Sequence, residues 1–554
     1  MSAADSPSPQ PSPAQGRGGR RVEVIGAGLA GCEAALQCAR RGVSVRLHEM
    51  RPERMTEAHE TGDVAELVCS NSLKSDESQN AHGLLKAELR VFGSALLECA
   101  ERARIPGGKA LVVDRRRFSA EVQKALDAAG VEVMHGEVVE VPASSLKPQA
   151  SSQKPSDCGL GRDASSVRRD ALYVIATGPL TSQPMAESLQ ALLGTERLFF
   201  YDAIAPIVAA ESLDLSRVFE GSRYGAGDAE KSDVRCEMSD VRSEDVRKQT
   251  VSGYLNCPMS EEEYARFVDA LLGAQLHPLH DFEKTEPGSE SEATKARKHE
   301  TAGTEPGCRP AISARVPLFE GCLPVEEIAR RGRLALAFGP MKPVGLVNPR
   351  TGKRPFAVVQ LRRENAEGTM YNLVGFQTRL TYPEQERVFR LIPGLEQTKF
   401  LRLGSIHRNT YLDAPRVLLP TLQTRARADL LVAGQLAGVE GYVESIGAGL
   451  VAGINAARLA KGVQPPQLPA ETMLGSLLQY ITGGSENLGQ SPAAMTRPQS
   501  GTVPVFRFQP MNANFGLLPP LAERLRGRDK RRAMAERALA SAREFALTVA
   551  NNRA

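Results

Sequence analysis

RVEVIGAGLAGCEAALQCARRGVSVRLHEMR, residues 21–51, is the stretch whose reading decides the fold. Val22, Val24 and Ile25 form a short apolar strand, and Gly26-Ala27-Gly28-Leu29-Ala30-Gly31 a tight turn. Residues 32–40 are an Ala-rich helix and residues 43–47 a second strand, which completes a β-α-β unit. The glycines play distinct physical roles. Gly26 makes the turn, Gly28 lets a pyrophosphate approach the backbone, and Gly31 lets helix and strand pack closely. The phosphates would sit on the helix N-terminus, where unpaired N–H groups and the helix dipole favour an anion. Glu49 ends the second strand about 20 residues after the glycines, where a carboxylate can accept hydrogen bonds from a ribose. A glycine motif alone is weak; strand, helix, second strand and terminal acid together specify a dinucleotide site.

Around this unit, 554 residues suffice for two or three domains, and 24% charged with 42% apolar residues is the balance of an ordinary globular chain. A net charge of +4 is too small to argue for nucleic acid, so any basic patch must be local. Nine cysteines without regular spacing do not make a disulfide framework; they fit a reducing cytoplasm with one or two reactive thiols. No CxxC pair suggests a metal site. The first 20 residues, rich in Ser, Pro and Gly without an apolar core, read as a disordered tail rather than a signal peptide. No apolar run approaches the length that crosses a bilayer.

Further along, residues 56–73 read as a loop carrying Cys69 towards a site, and residues 81–102 as one helix with Leu84, Leu85, Leu89, Leu96 and Leu97 near one face. Residues 111–113 and 131–141 read as extended, 117–129 as a helix, and 171–175 as a strand closed by Ala176-Thr177-Gly178. Residues 144–170, 225–250 and 283–315 are rich in Ser and charge and nearly free of aromatics, so they read as disordered insertions, which makes Cys158, Cys236 and Cys308 poor candidates for chemistry. Strands are expected at 334–338, 357–361, 370–376 and 429–432. Residues 445–459 form a small-residue helix whose Gly447, Gly449 and Gly453 favour close packing over a second nucleotide fingerprint, since no strand immediately precedes it. The tail helix, 521–549, carries Arg524, Arg526, Arg528, Lys530, Arg531 and Arg532; this is either a solvated charged face or a patch for a phosphate backbone.

Three residues stand out chemically. Cys69, in Leu67-Val68-Cys69-Ser70-Asn71, and Cys257, held extended by Pro258, are each a nucleophile or a buried apolar residue. His407, beside Arg408 and Asn409 with no second histidine at metal-ligand spacing, is either a ring that stacks on a planar ligand or a hydrogen-bonded structural histidine. Cys322, in Glu320-Gly321-Cys322-Leu323-Pro324, stays ambiguous.

The ordered run VIGAGLAGCEAA, HEMRP, AELVCSNSL, FYDAIAPIV, YLNCPM, EGCLPVE, FGPMKPVGL, AVVQLR, GFQT, IPGL, HRNTY, AGQLAGVEGYVES and FQPMNANFGLLPPL closely resembles the folate- and FAD-dependent tRNA (uracil-5-)-methyltransferase family over residues 21–520. The resemblance implies an α/β, Rossmann-like two-dinucleotide FAD-binding fold with an α+β insertion domain and C-terminal helices. It implies methylation of C5 of a T-loop uridine in tRNA, with carbon from 5,10-methylenetetrahydrofolate and electrons from FAD reduced by NADPH or NADH. It gives the nucleophile role to Cys257 and a second thiol role to Cys69, an assignment that can be reversed. His407 would stack on the folate pterin. Gly26, Ala27, Gly28, Leu29, Ala30, Gly31 and Glu49 would hold the adenine-side phosphates and ribose, Gly434 and Gln435 the pyrophosphate, and Gly441 and Tyr442 the ring. Lys342 is a weaker candidate for substrate charge. The implied organisation is an FAD domain from 21–200 and 334–463, an insertion domain at 201–333 carrying Cys257, and C-terminal helices at 464–554. Cys69, Cys257 and His407 are expected to converge at the flavin. The other readings are a paralogue acting on ribosomal RNA, a relative of the flavoproteins that modify the tRNA wobble uridine, and a non-catalytic RNA-binding flavoprotein.

Overall fold

The computed structural model describes residues 20–141, 171–194, 197–223, 253–277, 323–483 and 508–551. The tail before Arg20, the three insertions, and Cys158, Cys236, Cys308 and Cys322 lie outside the described residues. The chain opens with β1 (Val22–Ile25), α1 (Leu29–Ala39), β2 (Val45–Glu49), β3 (Ser72–Ser75), α2 (Ala81–Val91) and α3 (Ala95–Arg102). Next come β4 (Arg104–Ile105), β5 (Ala110–Val113), α4 (Arg115–Ala128), β6 (Glu132–His135), β7 (Leu172–Ile175) and α5 (Gln183–Leu193). A second group holds β8 (Arg197–Ala203), β9 (Ile207–Ala209), β10 (Phe219–Glu220), β11 (Tyr254–Met259), α6 (Glu261–Leu272), α7 (Val325–Arg330), α8 (Ala335–Phe338), β12 (Ala357–Arg363), β13 (Met370–Leu373), α9 (Tyr382–Phe389) and β14 (Phe400–Arg402). The chain returns through β15 (Ile406–Leu412), α10 (Ala414–Val417), β16 (Leu430–Val432), α11 (Tyr442–Ala460), α12 (Met473–Ile481) and α13 (Gly527–Asn551).

The opening unit sits at the centre of a parallel five-stranded sheet of order β16-β7-β1-β2-β6. β1 and β7 are buried along their whole length, as strands covered on both faces must be. Helices α1 and α11 pack side by side, and the glycines of α11 explain how: a Cβ on Gly449 would lie 2.2 Å from the Ala30 carbonyl oxygen, and one on Gly453 2.5 Å from that of Ala34. The expectation of glycines used for packing therefore holds.

A second, antiparallel sheet of order β10-β11-β12-β13-β9-β14 has its own apolar core, in which Phe267, Phe376 and Phe389 meet. Strands drawn from 207–402 build it, so the boundary expected at 333/334 falls inside this sheet: β12, β13 and β14 belong with the strand of Cys257, not with the parallel sheet. Two local expectations also need correction. Residues 334–338 are not a strand but end in the short helix α8, because Ala and Leu favour helix and only Leu336 turns fully inward while Phe338 is exposed. The single helix at 81–102 is broken at Gly93, whose φ of +72° no helix accepts, and Ser94 restarts the chain by capping α3 through the N–H of Leu97.

Candidate active site

The turn after β1 forms the first wall of a groove of about 150 Å³ at the C-terminal edge of the parallel sheet. Gly26 has φ +101°, and a Cβ there would lie 2.5 Å from the Ala176 carbonyl oxygen; a Cβ on Gly31 would lie 1.8 Å from that of Gly26. Gly28 differs: a Cβ would meet nothing within 4 Å, so its α-carbon faces the open groove. It caps α1 without a side-chain acceptor, which leaves first-turn N–H groups for an anion. This is the cradle that FAD fits. Leu29 and Ala30 line the same groove, and buried Ala27 gives its N–H to Glu49 Oε2 at 2.8 Å. Glu49 Oε1 accepts from Arg51 Nε at 2.9 Å and from the Arg51 N–H at 3.0 Å. Burial pushes the Glu49 carboxyl up, but the guanidinium and backbone donors outweigh it and hold the pKa below the usual carboxylate value. Glu49 is thus an ionised acceptor with part of its capacity committed to the protein.

Gly434, with φ +75° and a Cβ position 2.9 Å from the Ala30 Cβ, and Gln435 line the same groove, and Tyr442 at the start of α11 lines both this groove and the next cavity. Gly441 enters α11 with φ +116°, a conformation that lets the carboxylate of Glu444 pack where a Cβ would be. The Tyr442 hydroxyl accepts from the N–H of Cys69 at 2.8 Å and of Ser70 at 3.1 Å, so helix α11 fixes the Cys69 loop across 373 residues of sequence. Burial, then the Cys69 thiol, raises the phenol pKa, so Tyr442 keeps its proton. Three arginines complete the clamp. Arg115 Nη1 donates to Leu67 O at 2.5 Å, Arg402 Nη1 to Val68 O at 2.9 Å, and Arg362 to Ser70 Oγ at 2.9 Å and Asn71 Oδ1 at 2.8 Å.

Beyond Tyr442 opens a cavity of about 290 Å³ lined by Cys69, His407, Asp202, Glu440, Lys74 and Arg362 among others. The Cys69 thiol is pushed up to about 12 by burial and then by the Asp202 carboxylate, with Arg115 opposing. It needs a proton acceptor to become a nucleophile, and the titratable groups Glu440, Asp202 and His407 share its cavity. Glu440, 8% exposed, accepts from Gln435 Nε2 at 2.6 Å, and burial followed by Asp202 raises its carboxyl well above the usual range. Asp202 lies directly opposite His407 on the β8–β15 ribbon. Burial lowers the His407 pKa against the pull of Glu57, so its ring is neutral, with Nε2 2.8 Å from Ser405 Oγ.

Cys69 and His407 therefore meet, and Cys257 does not join them. Along β11 the apolar core takes Leu255, Cys257 and Met259, while Asn256 points the other way, to the carbonyls of Phe219 and Gly221. Cys257 pairs in register with Val359, which shares its core; Arg362, three residues on, must face the opposite side, and it is Arg362 that reaches the Cys69 loop. The thickness of the second sheet separates the two thiols. Burial raises the Cys257 pKa strongly, as expected of a core cysteine. Lys342 lies in the turn between α8 and β12 and lines neither cavity. Asp202, Glu440, Tyr442's partner Ser70, and the arginine clamp were not singled out from sequence; Asp202 lies in the FYDAIAPIV segment and Glu440 in AGQLAGVEGYVES, but nothing local marks a carboxylate as facing a cavity. Among the described residues no cluster of side chains could hold a metal, and no helix is long and apolar enough to cross a membrane.

Comparison with known proteins gives a consistent answer. The family model for glucose inhibited division protein A matches residues 21–251 and 230–464. A methylenetetrahydrofolate–tRNA-(uracil-5-)-methyltransferase TrmFO from Geobacter sulfurreducens is 46% identical over 529 residues, covering 95% of this chain and 99% of its own. One of the same name from Desulforudis audaxviator is 47% identical, covering 94% and 96%. The crystal structure of GidA from Aquifex aeolicus superposes with a TM-score of 0.53 at 17% identity, over 84% of this chain and 67% of that one, which supports the fold alone. The chain belongs to the glucose inhibited division protein A family and, within it, to the group of methylenetetrahydrofolate–tRNA-(uracil-5-)-methyltransferases.

Proposed function

We propose that this protein is a folate-dependent tRNA methyltransferase that moves one carbon from 5,10-methylenetetrahydrofolate to C5 of a T-loop uridine, with FAD as resident cofactor, NADPH or NADH as reductant, and the cytoplasm as its setting. The observation that carries the reading is the meeting of Cys69 and His407 in a cavity that joins the dinucleotide groove through Gln435, Tyr442 and Ser445.

Uracil C5 is a poor nucleophile until something adds at C6. We assign that addition to the Cys69 sulfur: the S–C6 bond forms, the C5–C6 π electrons move to C5 and O4, and C5 becomes able to attack carbon. The Cys69 proton must leave first, and Asp202 and the neutral His407 are the acceptors that share its cavity, whereas the Glu440 carboxyl holds its own proton more tightly. After C5 has gained carbon, its own proton passes to the Asp202 carboxylate, and once the methylene has been reduced to methyl the S–C6 bond breaks, so that the Cys69 thiolate leaves and the C5–C6 double bond is restored. The flat, neutral ring of His407 is suited to stack on a pterin. When bound, reduced FAD supplies the one-carbon transfer and the electrons that turn methylene into methyl. Gly26 to Gly31 and Glu49 hold its adenosine end, and Gly434, Gln435, Gly441 and Tyr442 its centre and ring. The target base must leave its stack to enter, at a cost of a few kcal/mol. Cys257 is a core residue in this reading, and Lys342 has no part in binding.

The test is reconstitution with FAD, labelled methylenetetrahydrofolate, NADPH and either a tRNA transcript, the same transcript with cytidine at the T-loop position, or a ribosomal RNA fragment. Label confined to the T-loop uridine is the expected result. Label in the ribosomal fragment alone would make the protein a paralogue with another RNA, and reduced FAD left unoxidised by folate plus tRNA would make it a non-catalytic RNA-binding flavoprotein.

A further inference from the structure

Residues alternate along β15 between two cavities. His407 and Asn409 face the cavity of Cys69, whereas Arg408 and Thr410 face another, of about 340 Å³, on the far side of the ribbon. Pro179 and Leu180 line all three cavities, and Met50, Thr56, Thr181 and Ser182 are shared between this one and the FAD groove. A ligand in the third cavity would thus touch the wall of the cofactor site, and one passing Leu180 would reach the flavin end.

The chemistry of the third cavity is that of an anion and an aromatic platform. The Arg408 guanidinium lies 4.1 Å from the centre of the Phe199 ring, and its buried Nε has no hydrogen-bond acceptor. Among the described residues no carboxylate lies within ion-pair distance of it, in contrast to Arg54 on the same wall, which Glu137 engages. Helix α5 begins here, with Ser182 making no side-chain cap and Pro184 in its first turn carrying no N–H. The one opposing group is Glu57, at 83% side-chain exposure on the rim. A guanidinium held flat by a ring presents its remaining donors in a fixed fork, which is the arrangement that recognises phosphate.

We propose that this cavity is the docking site for the phosphates of the reduced nicotinamide dinucleotide, with Arg408 as the anchor and Phe199 as its platform. This rests on the FAD reading above and on the need for a reductant to reach the flavin. An RNA phosphate has the same chemistry, but a cavity that shares Met50, Thr56, Thr181 and Ser182 with the cofactor groove suits a reductant of the flavin better than a continuous strand.

The experiment uses the FAD-loaded full chain. Anaerobic stopped-flow measurement of flavin reduction is made against NADPH, NADH and N-benzyl-dihydronicotinamide, a hydride donor without phosphates, for the wild type, Arg408→Met and Arg408→Lys. The expected result for Arg408→Met is a half-saturating concentration of both dinucleotides raised tenfold or more, no comparable rise for the benzyl donor, and partial recovery in Arg408→Lys. Affinity for tRNA is measured in parallel by fluorescence anisotropy over a range of salt. Unchanged dinucleotide saturation overturns the proposal, and a loss confined to tRNA affinity assigns the site to an RNA phosphate instead. Since flavin reduction is read without RNA, failure of methyl transfer would leave this result interpretable.

Discussion

Replacing Tyr442 by Phe isolates the contact that joins helix α11 to the Cys69 loop. The ring stays and one oxygen goes, so the N–H groups of Cys69 and Ser70, now 2.8 and 3.1 Å from it, lose their acceptor. A buried donor left without a partner costs about 1–3 kcal/mol. Both donors border a cavity that admits water, so the low end applies, at about 2 kcal/mol for the pair. Arg115, Arg402 and Arg362 still hold the loop by Leu67, Val68, Ser70 and Asn71, so the cost falls on local opening, which should increase about 30-fold. Cys69 reports that opening directly. In the closed loop its thiol is pushed up to about 12 and alkylates slowly at pH 8, whereas an opened loop returns it towards the ordinary value of about 8.5. Iodoacetamide labelling of the protein without cofactor, read cysteine by cysteine by mass spectrometry, should therefore be about 30-fold faster at Cys69 in Tyr442→Phe. Buried Cys32, Cys38, Cys99 and Cys257 should not change and serve as internal references. A Cys69 rate within about twofold of the wild type would refute the reasoning, because the hydroxyl would then be dispensable to the loop.

The two glycines of the turn should separate binding from folding: Gly28→Ala faces open space and should leave the melting temperature without cofactor unchanged while weakening FAD at least tenfold, whereas Gly31→Ala drives a Cβ into the Gly26 carbonyl and should unfold the domain. Fluorescence titration with FAD and thermal melts check both. Cys69→Ala should abolish methyl transfer without moving the melting temperature; Cys257→Ala should cost about 1–2 kcal/mol by leaving a cavity and retain turnover per folded molecule. Turnover lost by Cys257→Ala at full stability would mean that its thiol leaves the core during the reaction. Glu88, buried against the N–H groups of Met473 and Leu474, has its carboxyl pushed up to about 8 by burial. A carboxyl that holds its proton more tightly folded than unfolded favours the fold below the ordinary carboxylate range, and that contribution fades as pH rises through about 8. Stability should thus fall between pH 5 and 8.5 by up to about 4 kcal/mol from this group, and urea melts of Glu88→Gln should lack that slope.

Much of the fold was legible because its signals are local. The strand, turn, helix and acid of residues 21–51 specify their own geometry, and each of Gly26, Gly28 and Gly31 meets in the structure the environment its position demanded. The glycines of α11 were legible for the same reason, as was the loop that carries Cys69. The boundary of the second sheet was not, since a strand at 357–363 reads the same whichever sheet it joins, and pairing with β11 is decided by contacts a hundred residues apart.

The sequence by itself determined that a dinucleotide groove exists, which glycines build it, and which cysteines and histidine merited attention. Only the tertiary structure decided which of them meet. Alternation along β11 puts Cys257 on one face of a sheet and Arg362, a neighbour in that sheet, on the other. Which face looks towards the cofactor depends on how the sheet stacks, and no residue of YLNCPM carries that information. Alternation along β15 sends His407 and Arg408 into different cavities, although they are adjacent in the chain. A strand's period of two fixes that such neighbours part; the packing around them fixes what each one finds.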